Sequence, residues 1–75
     1  MVTPEAIARR LLLALPGAHV EIEDMTGTRD HYEATVIAPQ FAGKSRIDQH
    51  RMVYAALGEL MGDAIHALKL STRDA

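Results

Sequence analysis

Between Tyr32 and Thr72 the residue pattern changes period twice, and this change restricts the fold more than any other feature of the chain. The run YEATVIAP (residues 32–39) is rich in β-branched residues and closes on Pro39, which reads as a strand. From Ser45 the spacing is helical, with Ile47, Tyr54, Leu57 and Met61 expected on one apolar face, flanked by Val53 and Leu60. Gly62 is the expected stop, with Gly58 inside the helix at a cost of about 1 kcal/mol relative to Ala. IHALKLST (65–72) then reads as a third strand with His66, Leu68 and Leu70 sharing a face. A strand that runs through a long helical segment into a further strand usually returns parallel and right-handed. Parallel neighbours about 4.8 Å apart begin at the same edge of their sheet. His31 stands immediately before one such beginning and His66 starts the other, so this topology would pair two histidines distant in sequence.

The upstream residues complete the pattern. Thr3 is an expected N-cap, Pro4 suits the first helical position, and Glu5 lies near the positive end of the helix dipole. Ile7, Leu11 and Ala14 follow at helical spacing until Pro16-Gly17 ends the segment. AHVEIEDM alternates, with Val20 and Ile22 on one side and Glu21 and Glu23 on the other, as in a strand with one wet face. TGTRDH carries turn chemistry, so the first two strands form an antiparallel hairpin. Two amphipathic helices and three strands with one apolar face give an α+β chain, a two-layer sandwich in α-β-β-α-β order around a three-stranded mixed sheet.

At 75 residues there is room for one domain, 1–75, with a small core. Without cysteine, neither a disulfide framework nor an all-thiolate metal site can form, so soft-metal chemistry must use histidine or a partner's thiolates. The N-terminus lacks the layout of a secretory signal and LLLALPGA is too short to span a bilayer, which predicts a cytoplasmic protein with no membrane partner. A net charge of −2 argues against indiscriminate binding to polyanions. Lys44, Arg46 and Arg51 nevertheless cluster against the single acid Asp48, and residues 19–33 hold five acids against one Arg.

No HExxH, GxSxG or nucleophilic cysteine is present, so the chain reads as a binding module rather than an enzyme. AGKS (42–45) sits between strand and helix like a phosphate loop, but the Walker pattern needs glycine where Ala38 stands. Ser45 followed by Asp48 instead matches a capping box. His19, amid acids, reads as solvated surface, and His50 as a hydrogen-bonded residue bordering the second helix's apolar face. On residues alone, His31 and His66 read as loop-edge histidines satisfied by water or backbone.

FAGKSRIDQHRMVYAALGELMGDAIHALKLST (41–72) combines F-x-G-K-S, H-R-x-V-Y-A-A-L and I-H-A-L and resembles the BolA family; VEIEDMTGTRDHYEATVIAP resembles its hairpin. The resemblance implies a type II KH-like fold and a partner, a monothiol glutaredoxin, with which a [2Fe-2S] cluster is shared. The glutaredoxin cysteine and glutathione would supply thiolates. The BolA side would supply the histidine of the HAL-type motif, here His66, and, as in many members, a second His or Cys from the hairpin loop, here His31. Neutral nitrogen donors in place of thiolates raise a cluster's potential. A ligating imidazole must be unprotonated, so such a cluster is expected to bind more weakly below about pH 6.5. The sequence ends soon after the third strand, so the C-terminal helix of longer members is expected to be absent or vestigial. Alone, the chain is expected to be a monomer or weak homodimer. The alternative implied function is nucleic-acid-binding transcriptional regulation through Lys44, Arg46 and Arg51, although F-x-G-K-S is not a GxxG loop and the net acidity predicts weak DNA binding. A third possibility is a protein-interaction domain whose histidines never meet metal.

Overall fold

The computed structural model describes residues 3–25, 27, 31–63, 65 and 67–75. Helix α1 (Pro4–Ala14) starts as its sequence dictates: Thr3 Oγ1 accepts the Ala6 N–H at 3.1 Å, and Pro4 fills the first helical turn, where its missing donor costs nothing. Its buried stripe is Ile7, Leu11 and Leu15, whereas Ala14, expected in the core, is exposed. The i, i+4 spacing continues one residue beyond the helix because Leu15 still donates its N–H to Leu11 O at 2.8 Å.

Strands β1 (His19–Asp24), β2 (His31–Ile37) and β3 (Ala67–Arg73) form one sheet in the order β1-β2-β3. β1 runs antiparallel to β2, with His19 opposite Ile37 and Asp24 opposite Tyr32. β2 and β3 are parallel, with His31 opposite Ala67 and Ile37 opposite Arg73. On central β2, Tyr32, Ala34 and Val36 are fully buried, flanked by partly buried Val20, Ile22, Leu68 and Leu70. Ile7, Leu11, Val53 and Leu57 close the same core from the helices. The mixed two-layer sandwich expected from the period changes is therefore present, with one sheet face left to Glu21, Glu23, Glu33, Lys69 and Arg73.

Helix α2 (Arg46–Leu57) departs from expectation in end and in phase. Ser45 Oγ accepts the Asp48 N–H at 3.1 Å, as the capping reading requires. The helix stops at Leu57, however, and Gly58 is its C-cap at φ 52° and ψ −122°, a conformation that glycine reaches without a Cβ penalty. Gly62, at φ 91°, bends the following segment Leu60–Asp63 out of helical geometry. Val53 and Leu57 are the buried residues, while Ile47 and Tyr54 are 64% and 41% exposed. The inward face is headed by Gln49, whose Oε1 accepts the Thr72 hydroxyl at 2.7 Å and whose Nε2 donates to Lys44 O at 3.0 Å. A polar residue opening the stripe explains why apolar spacing gave the wrong phase.

The third strand starts at Ala67 rather than Ile65. Ile65 is fully buried, donates its N–H to Leu60 O (2.9 Å) and accepts the Gly62 N–H (3.0 Å). The expectation that His66 heads this strand and shares a face with Leu68 and Leu70 falls outside the described residues. Most of the expected turn TGTRDH also lies outside them; Gly27, which is described, donates its N–H to Asp24 Oδ1 at 3.0 Å.

Candidate functional site

Parallel pairing gives this sheet two unlike ends. At one end, β2 and β3 both begin. His31 is the first residue of β2 rather than the residue before it, and it is half-buried. Its carbonyl accepts the Met25 N–H at 2.9 Å, which closes the hairpin at the strand end. Its register partner is exposed Ala67, the residue that follows His66 in the chain. Alternation puts His31 on the sheet face away from the helices, since neighbouring Tyr32 is in the core. Met25, 55% exposed, stands beside this edge. In the next row but one, Lys69 Nζ lies 3.7 Å from Glu33 Oε2.

Of the two sequence-predicted metal ligands, His31 is thus held at the shared edge, and His66 lies outside the described residues. Among the described residues, no three His, Asp or Glu side chains converge to hold an ion. His19 is at the far end of β1, with Nε2 2.8 Å from Glu21 Oε2, in keeping with a solvated surface position.

The opposite end gathers cations. Lys44 and Arg46 are exposed and carry no ion pair among the described residues, while Arg51 lies 3.6 Å from Asp48 and is partly neutralised by it. The three basic residues expected as a nucleic-acid patch lie on the loop before α2 and on its first two turns, with Arg51 held beside Asp48. Arg73, which that reading did not include, also lacks an ion pair among the described residues and joins this end through its pairing with Ile37. Gln49 fixes the loop: besides Lys44 O it contacts Phe41 O at 3.4 Å. Gln40 Nε2 donates to Pro16 O at 2.8 Å, tying the same region to the turn after α1. His50 is half-buried but makes no side-chain hydrogen bond among the described residues, contrary to the expectation of a hydrogen-bonded border position; it lines a depression of about 330 Å³ with Arg46, Leu70, Ser71 and Thr72. Arg73 and the Gln49 clip were not legible beforehand, since a terminal cation and an inward glutamine acquire meaning only from the β2–β3 register.

One ion pair bridges the helical layer, with Arg10 Nη2 2.8 Å from Glu59 Oε1. The hydrogen bond from Arg10, supported by a backbone bond and the opposite charge, holds the Glu59 carboxyl below its ordinary value of 4.5. No helix among the described residues is long and apolar enough to cross a membrane.

Comparison with known proteins gives a consistent result. Residues 14–75 match the family model described as BolA-like protein. Protein BOLA2 of Arabidopsis thaliana is 41% identical over 71 residues, covering 93% of this chain and 75% of that protein. The DNA-binding transcriptional regulator BolA of Escherichia coli is 28% identical over 79 residues, covering 96% and 75% respectively. The solved structure of a bolA protein homologue from Coxiella burnetii superposes with a TM-score of 0.80 at 38% identity, covering 96% of this chain and 90% of that one.

Proposed function

The chain belongs to the BolA family, and from that premise we propose that it is a non-enzymatic adaptor which docks on a monothiol glutaredoxin and co-ligates a bridging [2Fe-2S] cluster. The observation that supports this most is the parallel register, in which His31 opens β2 directly opposite the residue following His66. Two strand beginnings side by side form a stiff rim facing outward, where an imidazole can meet a metal carried by another molecule. The donor set fits such sharing. A chain without cysteine has no thiolate to offer, so His31 and His66 would hold one iron through nitrogen and the partner's thiolates would hold the other. When bound, the cluster would supply one-electron chemistry; this chain's part is to present neutral imidazoles and dock the carrier.

The test is to mix the protein with cluster-bearing, glutathione-loaded glutaredoxin and record visible absorption and circular dichroism. The mixed complex should have a spectrum of its own that changes in His66→Ala and in His31→Ala. A spectrum indifferent to His66→Ala removes that ligand and with it this reading; indifference to His31→Ala removes the second ligand only.

A second reading is supported by the relative from Escherichia coli, whose name describes DNA binding, together with unpaired Lys44 and Arg46 on the loop and first turn of α2. Under it, Lys44, Arg46 and Arg51 contact phosphates. Affinity for a duplex would then fall steeply with salt, and the slope would flatten in a Lys44/Arg46 double alanine variant. Absence of binding at low salt excludes it.

A further inference from the structure

Strand β3 lies at a sheet edge, and the direction of its free hydrogen-bonding groups can be read from one contact. Ala38 N–H donates to Arg73 O at 3.1 Å, continuing the β2 ladder. Backbone groups of successive strand residues turn to opposite sides. Arg73, Ser71 and Lys69 therefore face β2, and Leu68, Leu70 and Thr72 turn their N–H and C=O groups to the open edge. Among the described residues no loop or turn backbone pairs with those three. An open row of this kind is a template for a further strand.

This edge is flanked by two depressions that share Ser71 and Thr72. The first, about 330 Å³, lies on the α2 side and is lined by Arg46, His50 and Leu70. The second, about 320 Å³, is lined by Thr35 and Arg73. Each contains one arginine without an ion pair among the described residues, and nearby Lys44 is unpaired as well. Asp48 faces Arg51 at 3.6 Å, and Asp74 makes no ion pair. Side chains of an added strand alternate between faces, so consecutive residues would enter the two depressions in turn.

The geometry points to β-strand addition: the free edge of β3 at Leu68–Thr72 receives an extended segment of a partner protein that carries two adjacent carboxylates, one for Arg46 and one for Arg73. Main-chain bonds to Leu70 and Thr72 supply the pairing, and the two arginines select acidic residues and fix the register. The edge starts one row from His31, since Leu68 pairs with Tyr32, while its charged end at Arg73 lies six residues along, about 20 Å at the usual strand rise. It does not rest on the glutaredoxin reading, and either can fail alone.

The probe is the peptide acetyl-Thr-Val-Glu-Glu-Val-Thr-amide, titrated into the whole chain and followed by heteronuclear NMR and amide exchange. The Leu68, Leu70 and Thr72 amides should shift and exchange about tenfold more slowly at saturation, with the amides of β1, at the far edge of the sheet, unmoved. Arg46→Glu and Arg73→Glu, both at exposed positions, should each weaken binding about tenfold. A peptide N-methylated at alternate backbone nitrogens should not bind. The proposal is overturned if millimolar peptide moves none of these resonances, or if the methylated peptide binds equally well, since charge alone then suffices. It is likewise overturned if a short DNA duplex moves them and the peptide does not.

Discussion

The two ends of the sheet are built from the same three strands and are held in different ways. At the end where β1 begins and β2 and β3 finish, side chains clamp the backbone. Gln49 reaches two carbonyls and Thr72, Gln40 reaches Pro16, and Ser45 caps α2. At the end where β2 and β3 begin, the hairpin closes by the Met25–His31 backbone bond, and fully buried Ile65 anchors the chain just before β3. Polar contacts at this end include the Gly27 N–H bond to Asp24 Oδ1 at 3.0 Å and the Lys69–Glu33 pair at 3.7 Å. The clamped end displays cations on a fixed frame. The other end carries the His31 imidazole at the start of β2, with Ile65 packing beneath the start of β3.

This contrast can be tested by removing the support at each end. Truncating the fully buried aromatic of the clamped end, Phe41→Ala, should cost about 3–5 kcal/mol in urea unfolding, and Ile65→Ala at the opposite end about 2–5 kcal/mol. Loss from Phe41 alone, with Ile65 neutral, would show that packing does not hold the His31 end. Gln49→Ala should cost about 1–3 kcal/mol, because it leaves Thr72 and two carbonyls short of partners. Its amide exchange should rise at Lys44 and around β3 residue 72 while the Met25 amide stays protected; a uniform rise would erase the distinction between the ends.

The smallest effect is expected for Glu59→Gln and appears only in the pH dependence. The folded-state carboxyl is held below 4.5, so its contribution is complete above that pH and disappears as pH falls through the lowered folded value. Wild type and Glu59→Gln should therefore differ at neutral pH and converge in acid. Denaturation curves that keep a constant offset down to low pH would contradict this origin.

How much of this was legible depends on whether a signal was local. The cap of α1, the cap of α2, the hairpin and the parallel crossover each follow from a short pattern, and together they suffice for the architecture. The phase of α2 was not local. Leu57 is buried as its spacing predicts, but the start of that helix faces Thr72, so a glutamine lies inward and Val53, expected at the flank, is buried in place of Ile47 and Tyr54. Gly58 was misread for a related reason: a glycine within a periodic run is either tolerated or terminal, and its positive φ follows from the chain's need to turn toward β3. At the candidate site, the meeting of His31 with the residue after His66 could be inferred from topology, since parallel neighbours must start together. Arg73 could not, because its place beside Arg46 depends on strand length as well as strand order.

The most direct measurement is pulsed electron paramagnetic resonance on the reduced, cluster-bridged complex with a monothiol glutaredoxin, using histidine labelled with a second nitrogen isotope in this chain only. Two histidine nitrogens should couple strongly to the cluster, falling to one in His31→Ala and one in His66→Ala. A cluster complex with no coupling to any nitrogen from this chain would contradict a shared imidazole rim.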